Sequence, residues 1–291
     1  MNPEVAARLR LFSAIEGGSE FWSSEIERNG ALLVLNGIEG NFYQKTKSNI
    51  ENIRARLREN PLEKLIEELG ESNSVFIYPG DDLWPKQLND LRNPPIGLIL
   101  KGEMEYLPLL VDSISIVGTR NPSNYGFRVA SDFAAGIVDR AWSVISGGAI
   151  GIDSAAHHGA LLAEGITFGI LAGGVNRPYP LANERMFNEI RNKGLLISEV
   201  MPNVHPVPHR FLIRNRLIAA LSKGTLVVEA AYRSGSLRTA RDAAEIFRPV
   251  MAVPGPINVP TSEGCHRLIA ERCPELVSSV SEVMELVNPL A

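Results

Sequence analysis

What this chain lacks narrows its chemistry more than what it holds. Its 291 residues include only two cysteines, Cys265 and Cys273. Neither has neighbouring His or Cys residues at zinc spacing, so reduced thiols are expected rather than a disulfide or a metal centre. No uncharged apolar run is long enough to span a bilayer, and Arg8 and Arg10 break up the N-terminus where a signal peptide would be apolar. A soluble, cytoplasmic protein is expected, with no membrane contact. Global positive charge is absent too: a formal net charge of −4 argues against a histone-like binder, though it leaves room for a local basic patch. Three catalytic signatures are missing. There is no G-x-G-x-x-G after the first candidate strand, no GK[ST] and no G-x-S-x-G nucleophile elbow, so dehydrogenase, NTPase and acyl-transfer readings lose their main support.

The hydrophobic content of 45% is enough to bury one large or two modest domains. Residues 1–70 read as a small, separate helical module. Ile50, Ile53 and Leu57 share one helical face, and Leu62, Leu65, Ile66 and Leu69 another after Pro61. A Pro/Gly/Asp-rich connection follows, in which Val75–Tyr78 and Ile96–Leu100 can add edge strands. From Ser113 the rhythm becomes strand, helix, strand, helix. Apolar runs at Ile114–Val117, Trp142–Ile145, Thr167–Leu171, Leu195–Ser198, Thr225–Val228 and Val250–Val253 read as buried parallel strands. Helices are expected between them, with one at Ser236–Phe247 burying Leu237, Ala240, Ala244 and Phe247, and another closing the chain at Val280–Val287. The predicted class is α/β: a doubly wound, mostly parallel sheet over 71–291, preceded by the all-helical region.

Two of these strands run into glycine turns, Gly118-Thr119-Arg120 and Ser146-Gly147-Gly148-Ala149-Ile150-Gly151, that are expected to open helices. Side by side at the carboxyl edge of a parallel sheet, such turns suit an anion, because glycine admits a close ligand and helix N-termini offer free N–H groups. Arg120 strengthens the first turn, and Asp153 can cap the helix after the second. Asp153, His157 and His158 lack a third ligand and do not make a metal site; His157 is expected to pack or bond locally. A later turn, Ser234-Gly235-Ser236, can cap a helix or bind an anion.

Between Asn203 and Arg241 the chain carries Arg210, Arg214, Arg216, Lys223, Arg233, Arg238 and Arg241 against a single acid, Glu229. Arginines around Phe211 suit single-stranded nucleic acid, with cations for phosphates and a ring for a base. The bland alternative keeps Phe211 in the core and the arginines solvated. Arg214 falls on the same helical side as Ile218 and Leu221, however, and a charge there needs a partner from protein or ligand.

SIVGTRNPSNYG, SGGAIGIDSAAHHGAL, GVNRPYPLAN, FLIRNRLIAALS, LVVEAAYRSGSLRTA and MAVPGPINVPTSEGCHRLI, in this order, resemble the DNA-processing protein A family (DprA, also called Smf). The upstream YPGDDLWPKQLNDLRNPP is similar to the family's lead-in, so the resemblance covers about Tyr78 to Val280. It implies an extended Rossmann-like domain that binds single-stranded DNA without catalysis or cofactor. It also implies protection of incoming strands and RecA loading in natural transformation, as a homodimer. The region before Gly70 is compatible in position with the family's sterile-alpha-motif-like domain. By resemblance, Gly118, Thr119, Arg120, Ser146, Gly147 and Gly148 contact phosphate, and Arg210, Phe211, Arg214, Asn215 and Arg216 form the basic pocket. Ser234, Gly235, Ser236 and Arg238 would line the same cleft.

The chain departs from the family's pattern at Leu212, where proline is usual, at Arg238, where an aliphatic residue is usual, and at Cys265-His266. The winged-helix domain of many relatives is expected to be absent. The alternative resemblance is to the lysine-decarboxylase-like (LOG) group, which cleaves nucleoside monophosphates. That group needs PGG-x-GT-x-x-E, whereas this chain reads VVEAAYRSGSLRTAR at the comparable strand.

Overall fold

A computed structural model of the chain describes residues 1–40, 42–43, 50–271 and 275–288. Five helices come first: α1 (Pro3–Ala14), α2 (Glu20–Asn29), α3 (Ala31–Glu39), α4 (Ile50–Glu59) and α5 (Leu62–Ser72). Their starts are conventional: Asn2 and Ser19 accept from N–H groups of the first turns of α1 and α2. Then come β1 (Val75–Ile77), β2 (Leu98–Gly102), β3 (Ser113–Val117), α6 (Asn124–Val138), β4 (Ser143–Ser146) and α7 (Ile152–Leu162). The chain continues through β5 (Thr167–Leu171), α8 (Glu184–Asn192), β6 (Gly194–Ser198), α9 (Pro208–Leu221), β7 (Gly224–Val227) and α10 (Gly235–Glu245). It finishes with β8 (Val250–Ala252), α11 (Glu263–Ala270), β9 (Glu275–Leu276) and α12 (Val280–Val287).

The strands form one sheet in the order β1-β2-β6-β5-β4-β3-β7-β8-β9. From β6 through β9 all pairs are parallel; β1–β2 and β2–β6 are antiparallel. The expected doubly wound α/β sheet is therefore present. The order reverses between β3 and β7, because the chain steps outward from β3 to β6 and then returns to the far side of β3. At such a switch point the loops after the two strands diverge to opposite faces and leave a crevice at the carboxyl edge.

Alternate residues of each buried strand feed opposite faces. Val117, Ile145, Phe168, Ile170 and Val227 pack under α9 and α10, whereas Ile114, Ile116, Val144 and Leu226 pack under α6 and α7. The helical region does not stand apart from the sheet. Leu9, Leu11, Phe12 and Val34 share one apolar cluster with Ile99 of β2, Leu196 of β6 and Phe187 of α8. Polar ties reinforce that contact: the Asn93 amide donates to the Gly18 carbonyl, and Ser23 Oγ to that of Pro94, both at 2.8 Å.

One expected core residue is not in the core. Phe247 is 95% exposed, because α10 ends at Glu245 and the backbone turns through a left-handed φ of 59° at Phe247. Cys265 is buried, which pushes its thiol up to about 12, and Cys273 lies outside the described residues. No described helix is long and apolar enough to cross a membrane.

Candidate functional site

At the switch point sits a cleft of about 260 Å³. Its wall after β3 is Gly118, Thr119 and Arg120; its floor comes from α9 through Phe211, Leu212, Arg214, Asn215 and Ile218. Ser234, Gly235, Ser236 and Thr239 close it at the start of α10, and Ala149 and Asp153 reach in from the β4 side. Nine of the residues expected at the site therefore meet here: Gly118, Thr119, Arg120, Phe211, Arg214, Asn215, Ser234, Gly235 and Ser236. Ser146, Gly147, Gly148, Arg210, Arg216 and Arg238 are not on its lining.

At both turns expected to offer N–H groups, an acid of the protein already accepts a hydrogen bond. The β3 turn does not open α6 directly: Asn121-Pro122-Ser123 intervenes, with Ser123 as the cap. Both carboxylate oxygens of Glu229 accept from Ser123, one from its N–H at 2.8 Å and one from its hydroxyl at 2.6 Å. Asp153 does not cap α7, whose N-cap is Gly151. It sits in the first turn, and its Oδ2 accepts from the Ala149 N–H at 3.3 Å. Its carboxyl is raised above the ordinary value by burial, against the pull of Arg214 and the loop amides. The Ser146-Gly147-Gly148 turn thus wraps a carboxylate. Ser146 is fully buried, its hydroxyl donating to the Ile116 carbonyl at 2.6 Å.

Gly147 serves a different purpose from the one expected. A Cβ there would overlap the Arg214 guanidinium, so the glycine makes room for that side chain. Arg214 is buried, with 6% of its surface exposed. Its Nη1 donates to the Ile170 carbonyl at 2.8 Å, and its Nε has no hydrogen-bond partner among the described residues. No carboxylate lies within ion-pair distance of it among those residues. Burial lowers its pKa to about 10, with Asp153 opposing and Arg120 adding to the shift, so it remains a cation at neutral pH. An unpaired buried cation facing a cleft is costly unless something anionic joins it. The start of α10 has no side-chain cap. Its cap residue Ser234 makes no side-chain capping bond, its hydroxyl instead lying 2.6 Å from that of Ser236. Asn215 ties α9 to this turn by donating to the Gly235 carbonyl at 3.2 Å.

An aromatic rim overlooks the cleft. The Phe211 ring is only partly buried, with the Arg120 guanidinium 5.6 Å from its centroid. Tyr179 packs edge-on against it at 5.9 Å and remains 53% exposed. Tyr179 was missed in the sequence reading, although it lies in the GVNRPYPLAN motif. An aromatic between two prolines, just past the β5 turn Gly173-Gly174, was the available signal.

Arg210, Arg216 and Arg238 are each paired with an acid. Arg210 forms an ion pair with Glu16 and also donates to the His205 carbonyl at 2.9 Å. Burial opposes the charge on Glu16, but Arg210, His209 and Arg56 hold its carboxyl below the ordinary value. Arg216 donates to Glu199 at 2.6 Å beneath the Gly17-Gly18 loop, although its Nε and Nη1 have no hydrogen-bond partner among the described residues. Burial raises the Glu199 carboxyl, against Arg216. Arg238 pairs with Asp242 at 2.6 Å. His157 is buried and neutral, lowered to about 3 by burial, with Nδ1 2.7 Å from Thr167 Oγ1.

The family model for DNA recombination-mediator protein A matches residues 75–288. The chain belongs to that family. Protein Smf of Escherichia coli is 39% identical over 218 residues, 75% of this chain, and DNA processing protein DprA of Streptococcus pneumoniae is 38% identical over 204 residues, 70% of this chain and 71% of its own length. The chain spans 58% of the E. coli protein's length. The X-ray structure of S. pneumoniae DprA superposes with a TM-score of 0.81 at 30% identity, covering 98% of this chain and 97% of that one. A Helicobacter pylori DprA structure, described for its single-stranded DNA binding mode, has a TM-score of 0.66 at 27% identity, covering 73% of this chain and 94% of its own.

Proposed function

We propose that the chain binds single-stranded DNA in the switch-point cleft and acts as a non-enzymatic recombination mediator. It would protect incoming strands in the cytoplasm, hand them to the RecA recombinase, and work as a homodimer. The observation that carries the reading is Arg214: a buried cation with no carboxylate in ion-pair range among the described residues, at the floor of a cleft beside the uncapped start of α10. A backbone phosphate fits that position, reached by Arg214 from below, Arg120 from the rim and the first N–H groups of α10. A base would then lie against Phe211 and Tyr179, the sequence-tolerant stacking that single-strand binders use.

The enzymatic alternative needs an acid free to assist chemistry near the β7 strand end. Glu229 occupies that strand end, and both its carboxylate oxygens are engaged by Ser123. The test is fluorescence anisotropy with a labelled oligo-dT strand and a duplex of equal length at two salt concentrations. Tight, salt-sensitive binding that prefers the single strand supports the proposal. Binding to neither, with turnover of a nucleoside monophosphate, overturns it.

A further inference from the structure

Beyond the Ser234 edge of the cleft lies a second concavity of about 260 Å³, lined by Tyr232 and four arginines: Arg233, Arg238, Arg241 and Arg267. Ser234 borders both hollows, so they meet at the open start of α10. The Tyr232 ring is 44% exposed and flanked by cations, with the Arg267 guanidinium 4.6 Å and that of Arg233 5.7 Å from its centroid. Two of the arginines are balanced along their own helices, Arg238 by Asp242 and Arg267 by Glu271. Arg233 and Arg241 are exposed and have no ion pair among the described residues. Four guanidiniums therefore face two carboxylates, on the surface of a chain whose net charge is negative.

We infer that this groove is a second contact track for the same DNA strand: it holds the backbone phosphates of the segment leaving the cleft, with one base against Tyr232. The inference rests on the proposed function of the cleft. An isolated set of exposed arginines is ordinarily a solvated surface. Here the set surrounds a presented aromatic ring and borders the cleft at Ser234. Cations interleaved with an aromatic are what a flexible strand uses, one for the phosphate and the other for the base. An acidic protein surface would use the charges and leave the ring unexplained. Arg238, expected at the cleft, belongs to this groove instead.

The consequence is a dependence on strand length. A strand of about 4 nucleotides fills the cleft only, whereas one of about 20 also reaches the groove. The Arg233→Ala/Arg241→Ala double variant removes exposed side chains without ion pairs, so its thermal midpoint should equal that of the unaltered chain. It should lose roughly tenfold in affinity for the long strand and nothing for the short one, and its salt slope on the long strand should fall by about 1.4, at about 0.7 per lost phosphate contact. The Arg233→Lys/Arg241→Lys variant should recover the slope. Equal losses on both lengths, or no loss on either, would overturn the groove while leaving the cleft intact, and a variant that loses only binding to an acidic protein would do the same. Failure of the unaltered chain to bind either strand would instead remove the cleft reading on which the groove depends.

Discussion

Two arginines two residues apart on α9 have opposite fates. Arg216 is buried beside Glu199 at 2.6 Å under the Gly17-Gly18 loop, so its charge is answered from within the fold. Arg214 is buried against a main-chain carbonyl, with no carboxylate in ion-pair range among the described residues and an unpartnered Nε. One arginine holds the helical region, the α9 helix and the β6 loop together; the other lies at the cleft floor, where Asp153 favours its charge without forming an ion pair. Similar burial, then, does not imply a similar role, and the partner decides which arginine is structural.

The sharpest way to break this comparison is Arg216→Ala. Removing one member of a buried pair strands the other, and the expected loss is about 3–5 kcal/mol of stability in urea unfolding. The pH dependence has a definite sign. Glu199 is raised in the folded state, so the folded chain holds its proton more tightly than the unfolded chain. Losing Arg216 raises it further, and the variant's deficit relative to the unaltered chain should shrink as pH falls from its raised value toward the ordinary carboxylate range. A deficit that grows on acidification contradicts the pairing.

Arg214→Met keeps apolar volume but removes a cation that offsets the buried Asp153 without an ion pair, so the unfolding midpoint should fall by less than for Arg216→Ala while single-strand affinity falls by about 1.5–3 kcal/mol, on the order of ten- to a hundredfold. Phe211→Ala comes next. Loss of a stacking surface costs roughly 1–3 kcal/mol of binding, read by anisotropy, and unfolding of the variant instead would mean that the ring is core. The smallest effect is expected at Glu16→Gln. Freeing Arg210 from its partner should tighten single-strand binding by about 0.5–1 kcal/mol and steepen its salt dependence, as the competing carboxylate disappears. Weaker binding would show that Arg210 is positioned by Glu16 and not masked by it.

The strand-helix alternation from Ser113 onward made the sheet legible, and with it the switch point, because buried parallel strands are short apolar runs bounded by glycine turns. The cleft-lining turns, Arg120, Phe211 and Arg214 followed from the same pattern. The paired charges did not. Glu16 lies 194 residues from Arg210, and Glu229 106 residues from Ser123, so no local spacing reveals either bond. That is why the loop Ser146-Gly147-Gly148 reads as a phosphate cradle in sequence while folding around Asp153 and leaving room for Arg214. Phe247 failed for a local reason: its helical register continues the apolar face of α10, but the helix stops two residues earlier.

Salt titrations of oligo-dT binding, run side by side on the unaltered chain and on Arg214→Met, decide whether Arg214 meets a phosphate at the cleft floor. Weaker binding for the variant, with a slope shallower by about 0.7 in a chain that still unfolds cooperatively, is expected. Identical affinity and slope for the two proteins would contradict it.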